Sequence, residues 1–361
     1  MYRNLSEFIA RLEREGELQR VSVPVDPVYE IAEITDRMSK QPDGGKALLF
    51  ERDGDAVSRA DQYDGFRTVG VAMALGVESL DELTRRLDDL LQQAVTPKNS
   101  LLDKLRMLPL LAEMSRWLPR TSSSRGECQQ VVLQGEEASL DALPVLKCWP
   151  CDGGRFVTLP LVHTLDPETG IRNVGMYRLQ LFDARTTGMH WHLHKTGARH
   201  YEGYRRAGRR MPVSVALGGD PAYTYAATAP MPDNMDEYLL AGFLRRRPVK
   251  LVKCITNDIY VPADCDFVIE GYVDPADGKG CRRPLRRPYG VLFARRPLSA
   301  FPRHGPHAAA GCGIPGHGRG DSPAGGRLYR AGYGADIPGA DTHGPATRSP
   351  RHDDARGRNG A

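Results

Sequence analysis

The sequence predicts an α+β chain in three parts: an α/β unit over residues 1–125, a core of short strands over 126–279, and a segment, 280–361, that stays disordered. Three observations carry this. Up to Leu118, helix-period and strand-period apolar patterns alternate. From Gln129 to Gly271, short runs rich in Val, Thr, Tyr and Leu recur between Gly and Pro, the pattern of a β-barrel or sandwich. After Lys279 the periodicity stops. Residues 301–361 are about one-third Gly plus Pro, a composition that cannot bury enough apolar surface to offset the entropy of ordering.

In the first part, Leu5, Phe8, Ile9 and Leu12 put one apolar stripe on an opening helix. Val21, Val23 and Val25 alternate like a half-buried strand. Asp26-Pro27 offers a cap and a first-turn proline for a helix over Tyr29 to Met38. Ala47–Phe50 and Val69–Ala74 read as buried strands, Ser79–Leu91 as an amphipathic helix, and Leu101–Leu118 as a helix kinked at Pro109. In the second part, strands are expected at Gln130–Leu133, Phe156–Thr164, Asn173–Phe182, Met211–Leu217, Leu251–Cys254 and Phe267–Gly271. One helix, Asp236–Arg246, interrupts them, with Asn234 or Asp233 as its cap.

Charge divides along the same lines. Residues 280–361 hold 14 Arg against 5 Asp, with no Lys or Glu, a net +9. Within a total of +4 the first 279 residues therefore carry −5, which argues against a nucleic-acid footprint on the folded part. Seven Cys in 361 residues do not form a disulfide framework and suit a reducing cytoplasm. No apolar run approaches the ~18 residues of a membrane span. The N-terminus lacks a basic-then-apolar export signal.

The densest chemical signal is GMHWHLHKTG at 188–197. In a strand, His190, His192 and His194 would share one face, able to ligate a transition metal or to make local hydrogen bonds. Upstream, alternation puts Asn173, Gly175 and Tyr177 on one side of a strand and Met176 and Arg178 on the other. Cys148 and Cys151 form a lone CxxC, without the second pair that zinc needs or the helix that a redox dithiol opens. Gly218–Pro221 reads as a turn after a strand. The five His of the tail match no ligand spacing.

Taken together, CWPCDGGRFVTLP at 148–160, NVGMYRLQ at 173–180, MHWHLHKTG at 189–197, DEYLLAG at 236–242 and LVKCITND through FVIEG at 251–271 resemble the UbiD-type decarboxylases. The resemblance runs from Met1 to about Lys279. It implies an N-terminal α/β domain, a split β-barrel flavin-binding core (incomplete here) and a lost C-terminal oligomerisation domain. It also implies non-oxidative loss of CO2 from an aromatic or α,β-unsaturated acid, a quinone precursor being one such substrate. The implied cofactors are prenylated FMN, Mn2+ or another divalent metal, and K+ as an optional further ion. Motif by motif, Asn173, His194 and Glu237 would hold the metal. Met176, Tyr177, Arg178, His190, Trp191, His192, Lys195 and Thr196 would line the flavin. Arg178 would also grip the substrate carboxylate, a task suited to a planar bidentate donor. The implied partners are a small aromatic acid and a flavin prenyltransferase as cofactor supplier, in a family usually homo-oligomeric. The implied location is cytoplasmic, or membrane-associated if the substrate is prenylated.

Where the family reads EGPFGDHTGFY, with the acid that protonates the product carbon and a second carboxylate, this chain has CRRPLRRPYGVLF at 281–293. Both carboxylates are missing. Codons for that string can be chosen so that, read one base later, they spell VEGPFGDHTGFYSL, and Arg295 to His307 then permit ADLYPRFHVTAL. A one-base insertion near the codons for Lys279–Cys281 explains this, and with it an Arg-rich, Glu-free tail. As written, the chain is expected to be an inactive decarboxylase. The alternatives are a flavin- or metal-binding remnant with a scaffolding role, and an intact protein whose gene was misread.

Overall fold

A computed structural model describes residues 1–41, 44–51, 62–64, 68–95, 112, 114–191, 194–277, 279–281 and 297–308. The N-terminal elements are α1 (Leu5–Arg14), β1 (Leu18–Val21), α2 (Glu30–Ser39), β2 (Ala47–Phe50), β3 (Gln62–Asp64), α3 (Thr68–Ala74) and α4 (Leu80–Val95). Asn4 caps α1, its side chain accepting from the Glu7 amide, and the stripe Leu5, Phe8, Ile9 and Leu12 is buried as expected. β2 is buried throughout and lies between β1, parallel, and β3, antiparallel. Two side chains cap the start of α4: Ser79 Oγ accepts from the Glu82 amide at 3.3 Å, and Glu82 Oε2 from the Glu78 amide at 3.0 Å.

Several expectations change here. Residues 69–74 are helical, not a strand; so short an apolar run has no period to decide between the two. The first strand ends at Val21, leaving Val23 63% exposed. Asp26 closes a local turn by accepting from the Val28 amide at 2.7 Å, so α2 starts only at Glu30. Most of Leu101–Leu118 lies outside the described residues.

The core follows as β4 (Arg120–Ser122), β5 (Val131–Val132), β6 (Phe156–Val157), β7 (Leu161–Leu165), β8 (Arg172–Met176), β9 (Leu179–Leu181), β10 (Thr186–Met189), α5 (Thr196–Arg206), β11 (Met211–Leu217), α6 (Pro221–Thr228), α7 (Glu237–Arg245), β12 (Lys250–Lys253), β13 (Tyr260–Pro262), β14 (Phe267–Val273), β15 (Lys279–Cys281) and β16 (Pro297–Ala308). Ten strands form one sheet, ordered β6-β9-β10-β16-β14-β11-β7-β8, with β15 and β5 also on β16. Two expected strands are each divided, 156–164 at Pro160 and 173–182 at the turn of Tyr177 and Arg178. Three helices, not one, interrupt the strands. α6 announces itself by Asp220-Pro221, cap and first-turn proline, and α7 is capped by Asp236 rather than by Asn234 or Asp233.

Within the segment expected to stay disordered, residues 280–281, which end β15, and 297–308 are in strands; the remainder lies outside the described residues. β16 alone joins β6-β9-β10 to β14-β11-β7-β8 in this order of strands. It does so with prolines at 297, 302 and 306, positions with no N–H to give to a ladder.

The N-terminal elements pack on the core. Ala72, Leu75, Leu83 and Trp117 share one cluster with Ala222, Phe243 and Leu244. The buried Arg245 guanidinium bonds Asp220 at 2.8 Å and the Tyr2 carbonyl at 3.2 Å, and lies 3.4 Å from Asp264. Burial pushes Asp264 up to about 6 even so.

His163 on β7 is fully buried, with Nε2 2.6 Å from Tyr238 Oη and Nδ1 3.1 Å from the Ser214 carbonyl. Burial lowers its pKa to about 3. The unfolded chain takes up this proton below its ordinary value of about 6.5, and the folded chain does not. Stability is therefore lost as pH falls from about 6.5 towards 3. Between pH 8 and pH 5 the chain is expected to lose about 2 kcal/mol more than a His163→Gln variant. Urea unfolding at the two pH values checks this, and parallel losses would contradict it.

Candidate functional site

The site grows from the β7–β8 hairpin. Asp166 Oδ1 accepts from the Glu168 and Thr169 amides, both at 2.9 Å, and this turn sets Thr164 opposite Asn173 and Leu165 opposite Arg172. β8 ends the order of strands, so its outer edge needs other partners. Helix α7 supplies them with its first side chains. Asp236 pairs with Arg172, whose guanidinium lies 5.1 Å from the centre of the Tyr238 ring. Glu237 Oε2 accepts from the Val174 amide at 2.8 Å. Burial raises the Glu237 pKa to about 7, outweighing that bond and the more distant Arg172.

Asn173 is buried beside it. Its Nδ2 donates to Tyr177 Oη at 3.4 Å and to Thr164 Oγ1 at 3.5 Å. Tyr177 Oη also accepts from the Gly197 amide at 3.1 Å, which ties the first turn of α5 to β8. The Tyr177 ring fits between two glycines: a Cβ at Gly175 would sit 2.4 Å from it, and one at Gly197 2.8 Å. The Trp191 ring stands edge-on to Tyr177 at 6.2 Å and tilted against Tyr201 at 5.5 Å. Beyond Trp191 opens a cavity of about 450 Å³, lined among others by His194, Lys195, Thr196, Arg199 and Arg206.

The structure thus gathers Asn173, Tyr177 and Glu237 by hydrogen bonds around β8, and Trp191, His194, Lys195 and Thr196 around the cavity. Met176 closes β8, half-buried, and Arg178 follows in the turn, its carbonyl accepting from the His190 amide at 3.0 Å. Neither Met176, Arg178 nor His190 lines the cavity. The reading of His190, His192 and His194 as one strand face is corrected. β10 ends at Met189, because the chain turns there into α5, and His194 is an exposed turn residue. His192 lies outside the described residues. Cys148 is buried and Cys151 exposed, and the two are not joined in a disulfide.

Among the described residues no three of His, Cys, Asp and Glu form a metal cluster; the expected trio draws one ligand from an amide instead. Its buried members suit a hard cation. Glu237 offers a carboxylate whose burial outweighs its backbone hydrogen bonds and the attraction of Arg172, and Asn173 offers an amide oxygen, both hard oxygen donors. Lys195 and Arg199 by the cavity suit an anionic cofactor. Sequence reading missed Thr164, Asp166 and His200, which back Asn173. The hairpin signal DPETG at 166–170 could have found Thr164 by register.

Residues 120–281 match the model of the 3-octaprenyl-4-hydroxybenzoate carboxy-lyase Rift-related domain, and residues 9–90 that of the N-terminal domain of the same carboxy-lyase. The chain belongs to the UbiD family. An uncharacterized protein of Aquifex aeolicus is 45% identical over 277 residues, which are 76% of this chain and 56% of that protein. One of Archaeoglobus fulgidus is 44% identical over 275 residues, 75% and 55% of the two. The chain spans little more than half the length of these relatives. An evolved dimeric form of the UbiD-class enzyme HmfF from Pelotomaculum thermopropionicum, solved in complex with prFMN, superposes with a TM-score of 0.74 at 26% identity, over 92% of this chain and 71% of that one. The vanillic acid decarboxylase of Sedimentibacter hydroxybenzoicus shares the fold, with a TM-score of 0.74 at 23% identity over 89% and 65%. Among the described residues no helix is long and apolar enough to cross a membrane.

The glycine clamp on Tyr177 makes a prediction. Gly175→Ala should cost about 1–3 kcal/mol by overpacking, and combination with Tyr177→Ala should cost less than the two changes summed. Urea unfolding of the four proteins measures this; strict additivity would contradict the clamp.

Proposed function

We propose that this chain derives from a prenylated-FMN-dependent decarboxylase of aromatic or α,β-unsaturated acids, and that as written it binds cofactor and metal without turning over substrate. The observation that carries the reading is the desolvated Glu237 carboxylate bonded to the residue after Asn173, together with a cavity bearing His194, Lys195 and Arg199 beyond Trp191. In this reading Asn173, His194 and Glu237 hold a divalent cation, Mn2+ by preference, whose charge meets the flavin phosphate. Tyr177, Trp191, Lys195 and Thr196 flank the flavin, and Met176, His190 and His192 complete its surroundings. Prenylated flavin, when bound, supplies the electron sink that lets CO2 leave. Arg178 orients the substrate by its carboxylate, a bidentate pairing.

The reaction then needs an acid to deliver a proton to the product carbon. At 281–293, where the family carries one, this chain has neither Asp nor Glu. The one-base insertion accounts for that loss and for a bridging strand written with three prolines. K+ as a second ion, a quinone precursor as substrate, a prenyltransferase as supplier and a cytoplasmic location belong to the same reading.

The test compares two proteins, each supplied with prenylated flavin and Mn2+: the chain as it stands, and the product of a gene with one base removed before codon 281. CO2 release from a panel of aromatic acids is expected only from the second, at least 100-fold above the first. Silence of the restored protein with every acid would overturn the decarboxylase reading; equal turnover by both would overturn the account of the missing acid.

A further inference from the structure

A buried hydrogen-bond chain runs behind Asn173 and is unaccounted for by the cation and flavin roles. His200, on α5, is 3% exposed and has two polar neighbours. Its Nε2 lies 3.7 Å from Asp166 Oδ2, and its Nδ1 lies 2.9 Å from Thr164 Oγ1. Thr164, fully buried, is also 3.5 Å from Asn173 Nδ2. Asp166, Thr164 and Asn173 come from one hairpin, and His200 reaches it from the helix packed alongside.

Proton positions follow in sequence. Burial depresses His200 to about 4, so the ring is neutral at pH 7 and carries one N–H. The Asp166 carboxylate favours that proton on Nε2, leaving Nδ1 as acceptor. Thr164 must then donate its hydroxyl proton to Nδ1 and present a lone pair to Asn173. Only the NH2 end of the amide answers a lone pair. Its second N–H is taken by Tyr177 Oη at 3.4 Å. Both amide protons are thereby committed, and Oδ1 is the end left over.

We propose that Thr164 and His200 are positioning residues that fix the amide of Asn173 so that its oxygen, not its nitrogen, is presented to a divalent cation. The inference builds on the cation-site reading above. An unanchored asparagine could offer either end, and the NH2 end repels a cation.

The test is a Mn2+ titration of the full chain followed by electron paramagnetic resonance, with no flavin or substrate present. Thr164→Val keeps the shape and removes the lone pair; Thr164→Ser restores it. Thr164→Val is expected to weaken Mn2+ binding at least 10-fold, and Thr164→Ser to return it to within about 3-fold of the parent. His200→Phe, which removes the acceptor for the threonine proton, should weaken it by a similar factor. Thermal unfolding without Mn2+ separates the roles: equal affinity in all four proteins, whatever their melting temperatures, would overturn the proposal. Should the parent bind Mn2+ no better than a Glu237→Ala variant, the cation site itself fails. Should the parent bind and Thr164→Val bind equally, the cation site stands and the positioning role falls.

Discussion

A single carboxylate withdrawn from water organises this end of the molecule. Glu237 opens α7 and gives one oxygen to the Val174 amide, an edge position of β8 that no strand among the described residues covers. That bond fixes where helix meets sheet. A helix N-terminus favours negative charge, yet burial wins and raises the group to about 7. Asp236, one residue earlier, pairs with the Arg172 guanidinium. Two adjacent acids thus divide the work: Asp236 closes an ion pair and caps the helix, and Glu237 ties the helix to the edge of β8.

Much of this was legible beforehand. The α1 stripe, β2, β11 and the existence of α7 follow from apolar periodicity, because each is long enough or buried enough for its period to show. The short run at 69–74 was not legible, since six apolar or small residues fit a strand as well as a helix. α5 was hidden for another reason. Its residues TGARHYEGYRR carry few aliphatic side chains, and its buried face is made by His200, Tyr201 and Tyr204. For the site, motif resemblance supplied Asn173, Glu237 and Tyr177; in the structure Asn173 bonds Tyr177 directly, and Glu237 bonds the amide of the next residue, Val174. Thr164, Asp166 and His200 belong to no motif. Their proximity is a product of hairpin register and helix packing.

The sheet also shows where the chain is weakest. Its two groups of strands, β6-β9-β10 and β14-β11-β7-β8, meet through β16. That strand is written PLSAFPRHGPHA, with three prolines that have no N–H to give to a ladder. The proposed cation ligands lie on β8 (Asn173), at the start of α7 (Glu237) and in the turn before α5 (His194), the last of these a few residues after β10, which pairs with β16.

The most direct measurement is a crystal structure of the full chain grown with Mn2+, with anomalous data collected at the manganese edge. The account predicts one strong peak at bonding distance from Asn173 Oδ1, Glu237 and His194. A peak placed elsewhere, or none at a saturating concentration of the ion, would contradict it.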